Sequence, residues 1–145
     1  MQPVAVGILA RNGHILLCQR RRTARYPLKW EFPGGKIEQD ESAWEALVRE
    51  LREELNIEAD SGDEFFRQEW TYPEGSVDPK KDGTFRVFYY LVRSFSGEPT
   101  NLAFEHIQWA RPQDMLSMDI LEGNREAVDR LINHISSHRT DAGSL

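Results

Sequence analysis

A capped amphipathic helix, predicted over residues 42–55, constrains the fold of this chain more than any other feature. Ser42 and Glu45 have the S-x-x-E spacing of a capping box, which satisfies two backbone donors at a helix start. Apolar side chains recur at helical spacing along one side: Trp44, Leu47, Val48, Leu51 and Leu55. Asn56 follows the last turn, and asparagine tolerates the left-handed conformation that ends many helices. Because this helix has one apolar side, other elements must cover it.

The rest of the chain supplies strands on both sides of this helix. Residues 4–20 predict a β-hairpin, because two apolar runs flank Asn12-Gly13, a dipeptide that suits a tight turn. Further elements are predicted by aromatic, β-branched and periodic apolar residues: strands over 65–72, 84–95 and 106–110, and a second helix over 125–136. Strands around two helices predict an α+β fold, an α/β/α sandwich with a mixed β-sheet between helices.

The length of 145 residues fits a single domain, which we place at residues 1–138. Residues 139–145 are small and polar and predict a disordered tail. Residues 73–83 form a polar connector that is longer than a tight turn requires, a length typical of functional or mobile loops.

Three glutamates, Glu50, Glu53 and Glu54, occupy one arc of the predicted helix, roughly 100° wide and separate from its apolar side. Glutamates at these spacings repel one another, and the negative end of the helix dipole adds to the cost. A divalent cation would remove the conflict, since Mg²⁺ and Mn²⁺ prefer carboxylate and carbonyl oxygens. Such spacing also occurs on solvated helix faces, so the three glutamates alone leave both interpretations open.

A longer pattern surrounds these glutamates. Gly35 and Glu41 precede the segment R-E-L-R-E-E-L-N-I at 49–57. This spacing resembles the Nudix box, G-x5-E-x7-R-E-U-x-E-E-x-G-U, where U is a bulky aliphatic residue, and departs from it at Asn56, where the pattern has glycine. The segment W-E-F-P-G-G-K-I-E at 30–38 is similar to the MutT branch of that family. The resemblance covers most of the chain and implies the fold of that family.

The resemblance also implies a metal site. Its expected ligands are Gly35 through its backbone carbonyl, Glu50, Glu53, Glu54 and, as an additional ligand or base, Glu105. The expected cofactor is Mg²⁺, with Mn²⁺ as an alternative. Glu50 or Glu53 also serves as the base that activates water, and the choice between them stays open. Arg49 is expected to orient the site by pairing with Glu41 or Glu50, without contacting the substrate.

The segment from Arg20 to Lys36 contains six cations against one acid, Glu31. In a chain of net charge −6, this local reversal of sign predicts a phosphate-binding segment. Arg20 and Arg21 are the preferred candidates because they end a predicted strand, and Lys36 is a further candidate. Gly34 has no Cβ, so the backbone can approach a phosphate closely there.

A nucleobase needs an aromatic or apolar slot with a few polar groups at its edge. Phe32, Phe88 and Tyr89 are candidates for the slot, and strand alternation sends Phe88 and Tyr89 to opposite faces without showing which face is the pocket. Asn124 corresponds to an asparagine that reads the purine edge in MutT-like enzymes. Asparagine is also a favoured helix N-cap, so both interpretations of Asn124 stay open.

The resemblance implies metal-dependent hydrolysis of a nucleoside triphosphate, of the 8-oxo-dGTP or CTP/dCTP type, to a nucleoside monophosphate and pyrophosphate. This reaction would sanitise the nucleotide pool. One alternative is a hydrolase of a nucleotide-diphosphate conjugate such as ADP-ribose, and another is a nucleotide sensor of the same fold without turnover. The three glutamates of the box are all present, which favours an enzyme.

Composition limits the partners. A net charge of −6 disfavours a nucleic-acid polymer, which would need a basic face to neutralise its phosphates. No apolar run approaches the ~20 residues that cross a bilayer, so no membrane partner is expected. The one cysteine, Cys18, cannot form an internal disulfide. We therefore expect a cytoplasmic protein, a monomer rather than a dimer, whose partner is a small nucleotide.

Overall fold

The computed structural model describes residues 1–72 and 83–137. Its elements are β1 (Gln2–Arg11), β2 (His14–Gln19), β3 (Trp30–Glu31), β4 (Gly34–Lys36), α1 (Ala43–Leu55), β5 (Glu58–Thr71), β6 (Thr84–Ser96), β7 (His106–Ala110), α2 (Pro112–Met115), a 3₁₀ turn (Glu122–Asn124) and α3 (Arg125–Ser137). The tail expected at 139–145 lies outside the described residues, as does the connector expected at 73–83 apart from Gly83.

The mixed sheet is organised around β1. This strand pairs parallel with β6, in the register Val4 to Val87, and antiparallel with β2 and β4. Strand β5 extends the sheet beyond β6, while β3 and β7 both pair with β2. The hairpin between β1 and β2 turns at Asn12 and Gly13, whose φ angles of 53° and 78° confirm the predicted tight turn. The predicted mixed sheet and α+β class are therefore confirmed.

Side-chain alternation along β1 separates two hydrophobic cores. Val6 and Ile8 belong to the core that α3 covers, whereas Ala5 and Leu9 belong to the core that α1 covers. The predicted stripe of α1 is buried at its centre: Leu47, Leu51 and Leu55 are fully enclosed, and Trp44 and Val48 pack against the margin. Because the two cores lie on opposite faces of β1, the sheet is held between the helices.

Several elements differ from the sequence predictions. Strand β5 begins at Glu58 rather than at Phe65, because its polar first half pairs with β6 through three register irregularities and has no alternation to recognise. The segment from Arg20 to Lys36, for which no strand was predicted, contains the short strands β3 and β4. The helix α2 and the 3₁₀ turn were not predicted, since each is a single short turn.

Candidate active site

The helix α1 presents its glutamates from a firmly capped frame. At its start Ser42 and Glu45 form both bonds of the predicted capping box, at 3.1 Å and 2.9 Å. At its end Asn56 adopts a left-handed conformation with φ 55° and donates its backbone N–H to the Arg52 carbonyl. The departure from glycine at this position is therefore accommodated. The backbone carbonyl of Glu54 accepts a bond from Leu102 N–H, which fixes the last turn of the helix.

Arg49 holds the carboxylates in place. Its guanidinium donates to both oxygens of Glu41, at 2.7 Å and 3.0 Å, and to Glu50 Oε1 at 2.9 Å. It also donates to Glu53 Oε2 at 3.4 Å and to the Lys36 carbonyl. The sequence left open whether Arg49 pairs with Glu41 or Glu50, and it binds both. These bonds from Arg49, together with a bond from the Glu38 backbone, lower the pKa of Glu41 to about 2.

Glu54 is the most enclosed of the three glutamates on the arc. Its Oε1 accepts a bond of 3.1 Å from Gly34 N–H. Burial, followed by the nearby charges of Glu50 and Glu31, raises the pKa of Glu54 to about 9. Burial also raises the pKa of Glu50, against the opposing contact with Arg49. This end of α1 therefore concentrates more negative charge than its own surroundings neutralise.

Gly35 allows the closest approach between the loop and the helix. An ideal Cβ built on Gly35 would lie 2.6 Å from Glu50 Oε1, a distance that real Cβ atoms do not reach. Any larger residue at this position would therefore displace the carboxylate. This contact places the Gly35 backbone directly against Glu50, as expected if both contribute oxygens to one metal site.

Ala46 does not leave open space beside the carboxylates, although it is a small residue on the same helix. Its side chain is fully buried in the core beneath α1 because Ala46 lies next to Leu47 and Leu51 in that cluster. The space beside the glutamates comes instead from the glycines of β4, Gly34 and Gly35, which bring backbone rather than side chains to the carboxylates.

The arrangement of carboxylates also shows what a metal ion would require. Among the described residues, no three histidine, cysteine, aspartate or glutamate side chains come together as a complete cage for a metal. Arg49 lies between Glu50 and Glu53, and Glu54 is turned to Gly34 N–H. Mg²⁺ rarely uses an all-protein cage, since it keeps waters and shares its shell with substrate phosphates. The oxygen donors present on α1 and at Gly35 therefore fit a hard dication that arrives with a phosphate chain.

A cavity of about 350 Å³ adjoins the acidic end of α1. Eight of the residues predicted for the site line it: Arg20, Phe32, Gly34, Gly35, Lys36, Glu54, Tyr89 and Asn124. The face of β6 that lines the cavity is the one that carries Phe85, Val87 and Tyr89. Phe88 does not line it and packs under the Arg67 guanidinium at 4.5 Å, so the prediction of Phe88 as a slot residue is wrong.

Asn124 is buried and lines the cavity from the turn before α3, the part of the cavity that we call its far end. Its Oδ1 accepts the Phe32 backbone N–H at 3.1 Å, and its Nδ2 donates to the Tyr89 hydroxyl at 3.0 Å. Neither bond goes to the first turn of α3, so these contacts do not support the interpretation of Asn124 as a cap. The amide instead ties β6 and the loop after β3 to the start of α3.

The predicted phosphate-binding and accessory residues divide into two groups. Arg20 lines the cavity, where it pairs with Glu31 at 3.1 Å and donates its Nε to the Arg25 carbonyl. Arg21 does not line the cavity, because its guanidinium is turned to the Ala103 carbonyl at 2.9 Å. Glu105 does not line it either: its carboxylate pairs with Arg22 at 3.4 Å. The hydrogen bond from the Arg22 backbone N–H is the main cause that lowers the pKa of Glu105, and the Arg22 side chain lowers it further.

Comparison with known proteins identifies the fold. The model of the NUDIX domain matches residues 1–131 of this chain. The chain belongs to the NUDIX family. The resemblance of residues 35–57 to the Nudix box is therefore confirmed, and with it the assignment of the chain to the Nudix hydrolases.

Relatives of this Nudix hydrolase include nucleotide hydrolases. It is 54% identical over 118 residues to a CTP pyrophosphohydrolase of Escherichia coli, covering 80% of each chain. It is 30% identical over 131 residues to an 8-oxo-dGTP diphosphatase of Haemophilus influenzae, covering 90% of each chain. Members of the family generally use divalent metal cations.

Solved structures agree with the fold. The solution structure of the E. coli ORF135 protein matches with a TM-score of 0.79 at 28% identity, covering 100% of this chain and 95% of that one. The crystal structure of a MutT NUDIX hydrolase from Burkholderia pseudomallei matches with a TM-score of 0.75 at 26% identity, covering 89% of this chain and 96% of that one. None of the helices in the described residues is long and apolar enough to span a membrane.

Sequence reasoning missed part of the Nudix cavity. Glu31, Trp70 and Tyr72 line it, and burial raises the pKa of Glu31 despite the opposing charge of Arg20. Trp70 lies near the end of β5 and Tyr72 directly follows the strand, and the period of two along an extended chain directs both side chains to the same side. Strand alternation could therefore have predicted that Trp70 and Tyr72 share a face. Glu31 was noted in the sequence only as the one acid in a basic segment, and not as a cavity residue.

Proposed function

We propose that this Nudix hydrolase cleaves a nucleoside triphosphate, of the 8-oxo-dGTP or CTP/dCTP type, to a nucleoside monophosphate and pyrophosphate. Its role would be to clear unwanted nucleotides from the pool. One observation carries the proposal: Glu54 from the acidic arc of α1 and Asn124 from the turn before α3 line the same cavity. A single substrate could therefore place its phosphates at the helix and its base at the amide. The substrates of the named relatives support this assignment.

We assign the metal to the oxygens at the end of α1. Glu50, Glu53 and Glu54 would hold Mg²⁺ or Mn²⁺ together with the Gly35 backbone carbonyl. A cation bound there would neutralise phosphate charge and make the phosphorus easier to attack. Arg49 keeps Glu50 in position through the 2.9 Å bond from its Nη1. Either Glu50 or Glu53 would take the proton of the attacking water.

The remaining cavity residues receive the substrate. Arg20 and Lys36 would contact the phosphate chain, and the backbone at Gly34 allows it to pass close by. Phe32 and Tyr89 would enclose the base. Arg21 and Glu105 have no role in this proposal because neither lines the cavity, and their charged groups bond to the Ala103 carbonyl and to Arg22 instead.

Asn124 would read the edge of the base. Its two bonds to protein leave one N–H and one oxygen lone pair of the amide for a ligand, by the hydrogen-bonding capacity of an amide. The amide can therefore hold the fold and contact a base at the same time.

We also propose that the protein acts as a monomer in the cytoplasm. Cys18 is buried and has no disulfide partner, as is usual in a reducing compartment. Measuring the mass of the protein in solution would test the monomer.

A substrate panel tests the reaction. Purified protein is incubated with Mg²⁺ and CTP, dCTP, 8-oxo-dGTP or ADP-ribose, and pyrophosphate and orthophosphate are scored separately. We expect pyrophosphate and a nucleoside monophosphate from at least one triphosphate. Release of AMP from ADP-ribose alone would identify a conjugate hydrolase, and tight nucleotide binding without any product would identify a sensor. Omission of Mg²⁺ and Mn²⁺ is the matched control and should abolish turnover.

A further inference from the structure

Around Asn124, several polar groups of the cavity already make as many hydrogen bonds as they can. The Gly123 carbonyl accepts bonds from both Gln68 Nε2 and the Tyr89 hydroxyl, so its two lone pairs are occupied. The Tyr89 hydroxyl in turn accepts from Gln68 and Asn124 while it donates to Gly123. Neither group has capacity left for a ligand.

Two groups at the far end keep a proton that a ligand could accept in a hydrogen bond. Asn124 retains one N–H and one lone pair after its two bonds. The Tyr72 hydroxyl accepts the Gly123 N–H at 2.8 Å, a bond that leaves its own proton available. Burial raises the pKa of Tyr72 to about 12, so it keeps this proton at neutral pH. Each of these two groups can therefore donate a hydrogen bond to an acceptor on a ligand.

Trp70 adds a third donor, which differs from the other two because it has no hydrogen-bond partner among the residues that the structure describes. Its indole Nε1 is the one buried side-chain nitrogen or oxygen in the described residues without a hydrogen-bond partner. Buried polar groups are nearly always paired, and one left unpaired calls for an explanation. A phenylalanine would fill the same aromatic position without this cost, so packing alone does not account for a tryptophan here.

Contacts at Gly123 show where this N–H lies. An ideal Cβ on Gly123 would be 3.0 Å from Trp70 Cδ1, the ring carbon bonded to Nε1, and would also collide with the Tyr72 hydroxyl. The pyrrole edge of the indole therefore borders the residue that precedes Asn124. Trp70 also lines the cavity and packs edge-on against Tyr72, with ring centroids 6.0 Å apart. Its N–H is thus at the same end of the cavity as the Asn124 amide.

We propose that Trp70 is a specificity-determining residue, whose indole N–H is donated to a carbonyl oxygen of the bound nucleobase. The inference rests on the proposed function, since it takes the base to lie at this end of the cavity. Because the N–H is enclosed by protein, this bond requires the ring to turn slightly toward the cavity. Cytosine, guanine and 8-oxoguanine all carry a ring carbonyl, whereas adenine has none. The site therefore favours carbonyl-bearing bases and discriminates against adenine.

Kinetics with Trp70→Phe test the donor. This change keeps an aromatic ring and removes the N–H, so kcat/KM for the best carbonyl-bearing triphosphate should fall by ~3- to 10-fold, the worth of one neutral hydrogen bond. The value for ATP should stay the same, so that the preference over ATP shrinks by the same factor. Equal losses for ATP and for the carbonyl-bearing substrate would overturn the proposal. Trp109→Phe, in the indole that packs under Arg11, is the matched control and should change neither value.

A second measurement needs no variant to be active. The chain has four tryptophans, and Trp70→Phe identifies which indole N–H signal belongs to Trp70 in a ¹⁵N spectrum. In the native protein, CMP should shift this signal downfield, and AMP should move it less. An unmoved Trp70 signal with saturating CMP would contradict the proposal. If no triphosphate is hydrolysed while CMP still shifts the signal, the proposed reaction fails and the role of Trp70 stands.

Discussion

The two ends of the cavity are built on opposite principles. At the acidic end, Glu50, Glu53 and Glu54 lie on one arc of a single helix, and Arg49 neutralises them only in part. At the far end Asn124 joins three separate elements through hydrogen bonds between neutral groups. The first end is in electrostatic conflict until a cation arrives. The second is hydrogen-bonded without a ligand, apart from the Trp70 indole N–H. The acidic end thus depends on charged residues that are close together in the sequence. The end that recognises the base depends on contacts between residues that are far apart in the sequence.

This contrast has an energetic side. The pKa of Glu54 is raised to about 9, so ionising it in the metal-free fold works against stability as the pH rises above its ordinary value of 4.5. At the far end, burial raises the pKa of Tyr89, which therefore stays neutral throughout the usual pH range. Substitutions at the acidic end should chiefly change turnover, and substitutions at the far end should change stability and selectivity together.

The largest effect is expected for Glu53→Gln at the acidic end. Glu53 is 57% exposed, so the change should leave the melting temperature nearly unaltered. Loss of one charge-stabilising group should lower kcat by at least ~100-fold. Steady-state rates with saturating Mg²⁺ would measure this. Glu58→Gln is the control, since Glu58 is a similarly exposed glutamate paired with Arg52 beyond the end of the same helix. Near-normal turnover of the Glu53 variant would remove this residue from the site.

A smaller loss of turnover is expected for Gly35→Ala. The new Cβ would lie 2.6 Å from Glu50 Oε1, so the carboxylate must move away from the loop. We expect a ~10- to 100-fold loss of activity, the range typical when the support of a metal ligand is disturbed, with weaker binding of Mg²⁺. Titration of Mg²⁺ against rate would measure both effects.

Gly34→Ala provides the comparison for that result. Gly34 has φ 153°, and an added Cβ would lie 2.7 Å from Val6 Cα, within the backbone of β1. The melting temperature of Gly34→Ala should be lower than that of the native protein, whereas the melting temperature of Gly35→Ala should be unchanged. Equal melting temperatures of the two variants would contradict the distinction between a glycine that serves the fold and one that serves the site.

At the far end, Asn124→Ala should act on both stability and selectivity. It leaves the Phe32 N–H without its partner, which costs about 1–3 kcal/mol of unfolding free energy for a buried donor. It should also weaken discrimination among bases more than it slows the best substrate. Asn101→Ala is the control, because the amide of Asn101 bonds only within the loop before β7. A loss of stability with unchanged selectivity would restrict Asn124 to the fold.

The sequence predicted the features that are encoded locally. The hairpin at Asn12-Gly13, the capping box at Ser42 and the left-handed Asn56 each depend on a few adjacent residues, and all three are confirmed. The first half of β5 could not be recognised, since residues 58–64 are polar and pair with β6 through irregular register. Its strand conformation depends on the partner strand rather than on its own sequence.

The candidate site follows the same division. The glutamates could be grouped in advance because one helix carries them, whereas the bond from Phe32 to Asn124 joins residues 92 positions apart and has no local signal. Arg21 and Glu105 were selected by position and charge, yet their side chains bond to Ala103 and Arg22 outside the cavity. Sequence position alone does not reveal which nearby partner a long charged side chain will choose.

The smallest effect concerns the pair that anchors the acidic end. The pKa of Glu41 is about 2 in the folded protein, below its ordinary value of 4.5, because Arg49 and the Glu38 backbone bond to the carboxylate. A lowered pKa stabilises the fold fully above pH 4.5, and this contribution is lost as the pH falls toward 2. Glu41→Gln should therefore melt a few degrees below the native protein at pH 7, and the difference should shrink below pH 4.5. The deficit of Asn124→Ala, whose partners are a backbone amide and a hydroxyl, should stay constant over the same range. Thermal melts from pH 3 to 7 compare the two ends directly: a Glu41 deficit independent of pH would mean that shape, rather than charge, holds Arg49 in place.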